Sequence, residues 1–205
     1  DENGHAIVPE VCICFDNILM RGNRTSKINS DNFRAFRSEN LPPLAEAGIS
    51  IRYDSNIIRR PASWDEGPTF RKTLDTRVAI LKMHPGITPQ IVRDIMCSPD
   101  TRAVIIETYG AGNAPSCDWL YQHLRDAVEK GIIIVNKTQC NTGSVSMGQY
   151  AVSLPLLKAG VVSGYDITTE ALLTKMMYLF GENPNNNDIV KELLQTPLCG
   201  ELTKD

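Results

Sequence analysis

The sequence predicts an α/β protein with a parallel, flavodoxin-like C-terminal sheet carrying helices on both faces, preceded by the end of a second α/β domain. Three observations carry this. From Val78 onward, short runs of Val, Ile and Leu alternate with stretches of helical period. The runs are almost continuously apolar, as strands are when helices cover both faces of their sheet. Ahead of them a polar segment separates off a beginning of different pattern.

The C-terminal elements follow in order. Strands are expected at 78–83, 103–109 and 132–136, and helices at 89–96, 119–130 and 147–158. Strand-helix-strand units of this length close by right-handed crossovers, which makes neighbouring strands parallel. Gly131 and Gly160 stand where helices should stop, because glycine takes the left-handed conformation of a helix end without strain. Val161 and Val162 supply a short fourth strand. Thr168 or Thr169 is placed to cap a helix running to Phe180, and Pro197 stops a last helix at 188–195. Pro184 and the asparagines at 185–187 form a surface loop between these two helices.

The beginning reads differently. Residues 11–15 and 18–20 are apolar around Asp16-Asn17, the two-residue turn chemistry of a hairpin. Residues 21–27 are polar, and beyond them Phe33, Phe36, Leu41, Leu44 and Ile49 fall without period around Pro42-Pro43. They are expected as loops packed on a sheet whose other strands lie outside this stretch. Residues 55–76, with Arg59, Arg60, Pro61, Gly67, Pro68, Arg71 and Lys72, have linker composition. The expected division is therefore 1–54, a linker at 55–76, and 77–205.

With 205 residues and 42% hydrophobic content, the chain can bury at least one full core. Its 21 Lys and Arg stand against 24 Asp and Glu, a formal charge of -3 without like-charge blocks. That balance argues against nucleic acid and acidic membrane surfaces as partners. No apolar run is long enough to span a bilayer, and the polar, acidic start is not that of a signal peptide. Cys12, Cys14, Cys97, Cys117, Cys140 and Cys199 are scattered without zinc-site spacing and read as free thiols of a reducing cytoplasm. His5, His84 and His123 lie far apart, so no metal is expected.

Four segments could carry chemistry. Ligands of an open parallel sheet bind beyond the carboxyl ends of its strands, where Gly110-Ala111-Gly112-Asn113-Ala114-Pro115 follows the second strand. A nucleotide-binding module is the less favoured reading, because Pro115 replaces the third glycine and the next strand ends in Asn136 instead of an acid. Arg21 to Lys27 gathers two guanidiniums, two hydroxyls and an ammonium, enough to bind an anion or place a proton carrier, although such a loop taken alone is more often solvated surface. Residues 136–143 are rich in hydrogen-bonding side chains. Cys140 has no histidine near it in sequence, so a packed thiol is the plainer reading there. Gly164, Asp166, Thr168, Thr169 and Glu170 open a helix and first of all serve its cap and dipole.

In this order and spacing, the segments resemble the L-asparaginase family, specifically its cytosolic type I branch. The resemblance covers nearly the whole chain. It is carried by Arg21-Gly22-Asn23-Arg24-Thr25-Ser26-Lys27, residues 33–43, Tyr109 to Pro115, Thr138-Gln139-Cys140 within 136–150, residues 164–175 and the closing Gly200-Glu201-Leu202-Thr203. It implies a two-domain amidohydrolase that converts L-asparagine to L-aspartate and ammonia without cofactor, through a threonine nucleophile lying upstream of Asp1. Residues 1–54 would then close the N-terminal domain and residues 77–205 form the C-terminal one. By the same resemblance Lys27 is the catalytic lysine. Asn113 reaches a neighbouring subunit's active site in a dimer that builds tetramers, and Ser26, Glu107 and Cys140 match an allosteric asparagine site. Ser144 stands where the periplasmic branch carries a carboxylate. The partners implied are L-asparagine, further copies of the chain and the missing N-terminal portion. A non-catalytic, asparagine-binding regulatory half would use the same residues.

Overall fold

The computed structural model describes all residues except 1, 3, 66, 68, 149–153 and 205, and it divides into two compact units, Asp1–Lys72 and Thr73–Asp205. In the first unit, β1 (Cys12–Phe15) and β2 (Ile18–Arg21) form the predicted hairpin, with Cys12 opposite Arg21 and Phe15 opposite Ile18. Asp16 and Asn17 take φ of 48° and 61°, as a two-residue turn must if it is to follow the twist of its strands.

The irregular stretch beyond the hairpin is not all loop. β3 (Ser26–Lys27) pairs antiparallel with β4 (Phe36–Arg37). β5 (Ala45–Ala47) and β6 (Ile51–Tyr53) extend the hairpin into a sheet of order β1-β2-β5-β6. Strands of two or three residues are too short to show a period, which is why the pattern of apolar residues does not announce them. Glu10 draws the unit together. Its carboxylate is buried against the Arg21 guanidinium, it accepts the Arg59 N–H at 2.8 Å, and Arg21 donates to the Ile57 carbonyl at 2.7 Å. Burial works to raise the Glu10 pKa, but the bonds from Arg21 and Arg59 outweigh it and hold the carboxyl below its ordinary value.

The second unit holds the parallel sheet. β7 (Val78–Lys82), β8 (Ala103–Thr108), β9 (Ile133–Thr138) and β10 (Val162–Ser163) lie in sequential order, without a strand-order reversal among the described strands. α1 (Pro89–Met96), α2 (Asp118–Glu129) and α3 (Leu154–Lys158) fill the crossovers; α4 (Thr169–Glu182) and α5 (Asn187–Leu194) follow the last strand. Right-handed crossovers that always step the same way leave their helices on one face. There Val92, Leu120, Leu124 and Leu156 pack with Val104, Ile106 and Ile134. Leu172, Met176, Phe180 and Val190 of α4 and α5 meet Ala103, Ile105, Ile133 and Val135 on the other face.

Local signals place the ends of these elements. Thr88 and Thr168 cap α1 and α4 by accepting the N–H of Ile91 and Ala171, and Gly131 and Gly160 take φ of 88° and 82° after α2 and α3. The helix expected at 147–158 is shorter: Met147 and Gly148 form a turn, and its expected residues 149–153 lie outside the described ones. None of the six cysteines forms a disulfide among the described residues. Among the described residues no helix is long and apolar enough to cross a membrane.

Candidate functional site

The carboxyl ends of β7, β8 and β9 are tied together by side chains that point back into the sheet. β8 and β9 run in register with Ile106 beside Asn136, Glu107 beside Lys137 and Thr108 beside Thr138. Asn136 is fully buried; its Oδ1 accepts the Thr108 hydroxyl at 2.6 Å and its Nδ2 donates to the Gly112 carbonyl at 3.0 Å. Thr138 Oγ1 donates to the Gly110 carbonyl and accepts the Cys140 N–H at 3.0 Å. Gln139 Nε2 donates to the Met83 carbonyl at 2.6 Å and to that of Glu107 at 2.9 Å, joining three strand ends.

These bonds shape the glycine loop. Tyr109 and Asn113 exchange backbone hydrogen bonds of 2.9 and 2.8 Å, so the loop closes on itself. At Gly112 φ is 105°, and a Cβ would come within 2.8 Å of Val145 Cγ1 and 3.0 Å of Asn136 Nδ2, so the position admits only glycine without displacement. The loop presents Asn113, whose Oδ1 is buried without a hydrogen-bond partner among the described residues. Buried carbonyl oxygens are rarely left so. The geometry adds nothing to the nucleotide reading: the Gly110 and Gly112 carbonyls accept bonds from Thr138 and Asn136, and Asn136, where a ribose-binding acid would stand, spends both its polar atoms on the fold.

A charged group lies beside this loop. Glu107 Oε1 accepts the hydroxyl of Thr169, in the first turn of α4, at 2.7 Å. Lys137 is buried, with Nζ donating to the Thr138 carbonyl at 2.6 Å. Burial pulls its pKa below the ordinary lysine value, opposed in part by Glu107 and Glu170. Of the sequence candidates, Glu107 stands beside Lys137 in the β8–β9 register. Ser26 and Lys27 lie on β3 in the other unit. Lys27 is exposed, its Nζ 5.9 Å from the centroid of the Phe36 ring. The preceding Thr25 is buried and donates to the Arg21 carbonyl at 2.7 Å.

Sequence reasoning placed Lys137 inside the candidate segment 136–143 but missed its burial, and it missed the reach of Thr169. The parity of β9 offered a signal for the first, since Ile133, Val135 and Lys137 share a face. Thr169 gave none: beside the capping Thr168 it looks like ordinary helix-start chemistry.

The next loop is strained. Tyr165 takes φ of 52°, a conformation that costs a non-glycine residue about 1–2 kcal/mol. Its N–H donates to Ser163 Oγ at 3.1 Å and its carbonyl accepts the Val145 N–H at 3.1 Å. The Ser146 N–H in turn donates to the Ala111 carbonyl at 3.0 Å, so this loop and the glycine loop are joined.

A parallel sheet with polar side chains gathered beyond its carboxyl ends, preceded by a small antiparallel unit, defines a two-unit α/β protein. The sequence model of the glutaminase/asparaginase C-terminal domain matches residues 77–193, and that of the asparaginase N-terminal domain matches residues 2–59. The chain belongs to the asparaginase family. It is 42% identical over 199 residues to L-asparaginase 1 of Escherichia coli, covering 97% of this chain and 57% of that protein. It is 40% identical over 200 residues to the 60 kDa lysophospholipase of Homo sapiens, covering 98% of this chain and 34% of that protein. The crystal structure of L-asparaginase I from Vibrio cholerae superposes with a TM-score of 0.87 at 42% identity, covering 96% of this chain and 58% of that one. These relatives agree with the type I branch that the motifs indicate, and the chain spans between a third and three fifths of their length.

Proposed function

We propose that this chain is part of a cytoplasmic L-asparaginase that hydrolyses L-asparagine to L-aspartate and ammonia. The observation that supports this best is the match of both family models along one chain, in the order of the parent enzymes. Residues 1–54 are then the end of the N-terminal domain, residues 55–76 the linker and residues 77–205 the C-terminal domain. A threonine upstream attacks the side-chain amide carbon; the C–N bond breaks, ammonia leaves with a transferred proton, and water releases aspartate from the acyl-enzyme. Lys27 takes part in that proton traffic from a short paired strand. Asn113 turns its unbonded oxygen to a substrate amine held across a subunit interface, in a dimer or tetramer. Ser26, Glu107 and Cys140 contribute to an allosteric asparagine site.

The test is ammonia release by the longer protein of which this chain is a part. Lys27→Met should lower turnover by about 10³-fold or more, the scale of losing a proton-transfer group, with the circular dichroism unchanged. Near-normal turnover in that variant ends the assignment of Lys27. The 205-residue chain alone should release none. The human relative's name makes a lysophospholipid the natural second substrate to assay beside asparagine. Asparagine binding without turnover by the longer protein would favour a regulatory half instead.

A further inference from the structure

We propose that the C-terminal segment 198–203 is a latch that holds Tyr165 in its left-handed conformation and, through it, fixes the loop that carries Asn113. The latch has two fastenings. At the first, Lys175 of α4 is buried and its Nζ reaches the Leu194 carbonyl at 3.2 Å, the Thr196 carbonyl at 2.6 Å and Glu201 Oε1 at 2.6 Å. Glu201, itself 4% exposed, also accepts the N–H of Leu198 at 3.1 Å and of Cys199 at 2.7 Å. One carboxylate therefore curls the segment while one ammonium binds it to α4 and to the end of α5.

At the second fastening, Leu202 is buried in the core beneath α4 and the Thr203 N–H donates to Asp166 Oδ1 at 2.7 Å. Asp166 is the residue after Tyr165, which among described non-glycine residues is alone in taking a positive φ outside the hairpin turn. A conformation of that kind persists only where its surroundings over-determine it. Here they do so from three sides: Ser163 Oγ on the Tyr165 N–H, the Val145 N–H on its carbonyl, and the tail on its neighbour. Val145 passes the constraint on, since Ser146 donates to Ala111 and the Val145 side chain packs against Gly112 without room for a Cβ between them.

The strained residue is what makes this a device with two states. With the tail fastened, left-handed Tyr165 presents its carbonyl to Val145. With the tail released, the ordinary negative φ is the lower-energy choice, that carbonyl turns away, and residues 145–146 lose their registration against residues 110–113. The residues of the tail are positioning residues, and the bearing of the latch on catalysis rests on the role proposed for Asn113.

Amide-resolved hydrogen exchange on the 205-residue chain tests it. Glu201→Gln weakens the first fastening at constant size, and Asp166→Ala removes the acceptor of the second while leaving Lys175 and Glu201 in place. Each should speed exchange at the Val145 and Ser146 amides by about tenfold or more, while Ile105 and Val135 change by less than about threefold. Tyr165→Asn, which tolerates positive φ more readily, should bring the Glu201→Gln background back to within about threefold of Tyr165→Asn alone. Unchanged rates at Val145 and Ser146, or equal acceleration at Ile105 and Val135, overturn the latch. In the longer protein Glu201→Gln should raise KM for asparagine with kcat little changed. Faster exchange with an unaltered KM supports the latch and counts against the role of Asn113.

Discussion

The two units of this chain are held together on different principles. In the second, Ile105, Ile106, Leu120, Leu124, Ile133 and Phe180 are all at or below 1% exposure, in two apolar layers on either side of one sheet. In the first, the buried apolar residues described are Met20, Ala35, Leu44, Ala45 and Ile58, while Val11, Phe33 and Ile49 stand 89%, 87% and 112% exposed. What the first unit lacks in core it makes up with short antiparallel ladders and the buried Glu10–Arg21 pair. Apolar burial contributes roughly 25 cal/mol per Å², so a sheet covered on both faces can offset its chain entropy where a sheet with few covered residues cannot. The lesson is that the proposed catalytic lysine sits in the unit with less cohesion of its own, and the proposed partner of substrate, Asn113, in the unit with more.

Cutting the chain between residues 72 and 73 is the harshest way to break this comparison. Residues 73–205 alone should keep a cooperative urea transition followed by circular dichroism, and residues 1–72 alone should show none; a cooperative transition in the smaller piece would end the contrast. Core truncation sharpens it. Leu124→Ala, at 0% exposure between helix and sheet, should cost about 3 kcal/mol by urea unfolding, and Leu44→Ala, equally buried in the smaller unit, about half that. Gly112→Ala should cost about 2 kcal/mol, because it adds backbone strain at φ 105° to a contact with Val145 and Asn136. It should also shift the amide resonances of residues 109–113.

The smallest of these effects is the pH dependence that the buried Lys175–Glu201 pair gives to stability, which is read on the acid side. Burial pulls the Lys175 pKa down and works to raise that of Glu201, so the two partners register the same burial oppositely. The bonds from Lys175, Leu198 and Cys199 outweigh burial at the carboxyl, and these donors in contact are why Glu201 lies below its ordinary value of 4.5. A carboxyl depressed in the folded state binds fewer protons there than in the unfolded chain. Its contribution is therefore present above pH 4.5 and is lost as pH falls through the lowered folded value. Glu201→Gln should flatten that part of the acid limb of a stability–pH curve; an unaltered limb would show that the carboxylate is not what titrates.

Much of the second unit was legible in the sequence. Apolar runs marked β7, β8, β9 and β10 within a residue or two, Thr168 marked the start of α4, and Gly131 marked the end of α2. The hairpin at Asp16-Asn17 was legible for the same reason, since two turn residues between β-forming runs state the conformation locally. β4, β5 and β6 were not, because elements of two or three residues exist only through the strands they pair with. The glycine loop was visible as a motif, but not that Asn136 and Thr138 hold its carbonyls from the next strand.

By itself, then, the sequence determined the order and type of the larger elements and the segments where chemistry gathers. Those depend on periodicity, turn residues and caps within a few positions of one another. Only the tertiary structure decided that Glu107 meets Thr169 from 62 positions away, that Lys137 is buried, and that Thr203 reaches back 37 positions to Asp166 beside a strained Tyr165. Such contacts are set by strand register and crossover direction, which bring distant residues together without leaving any mark in the pattern of their neighbours.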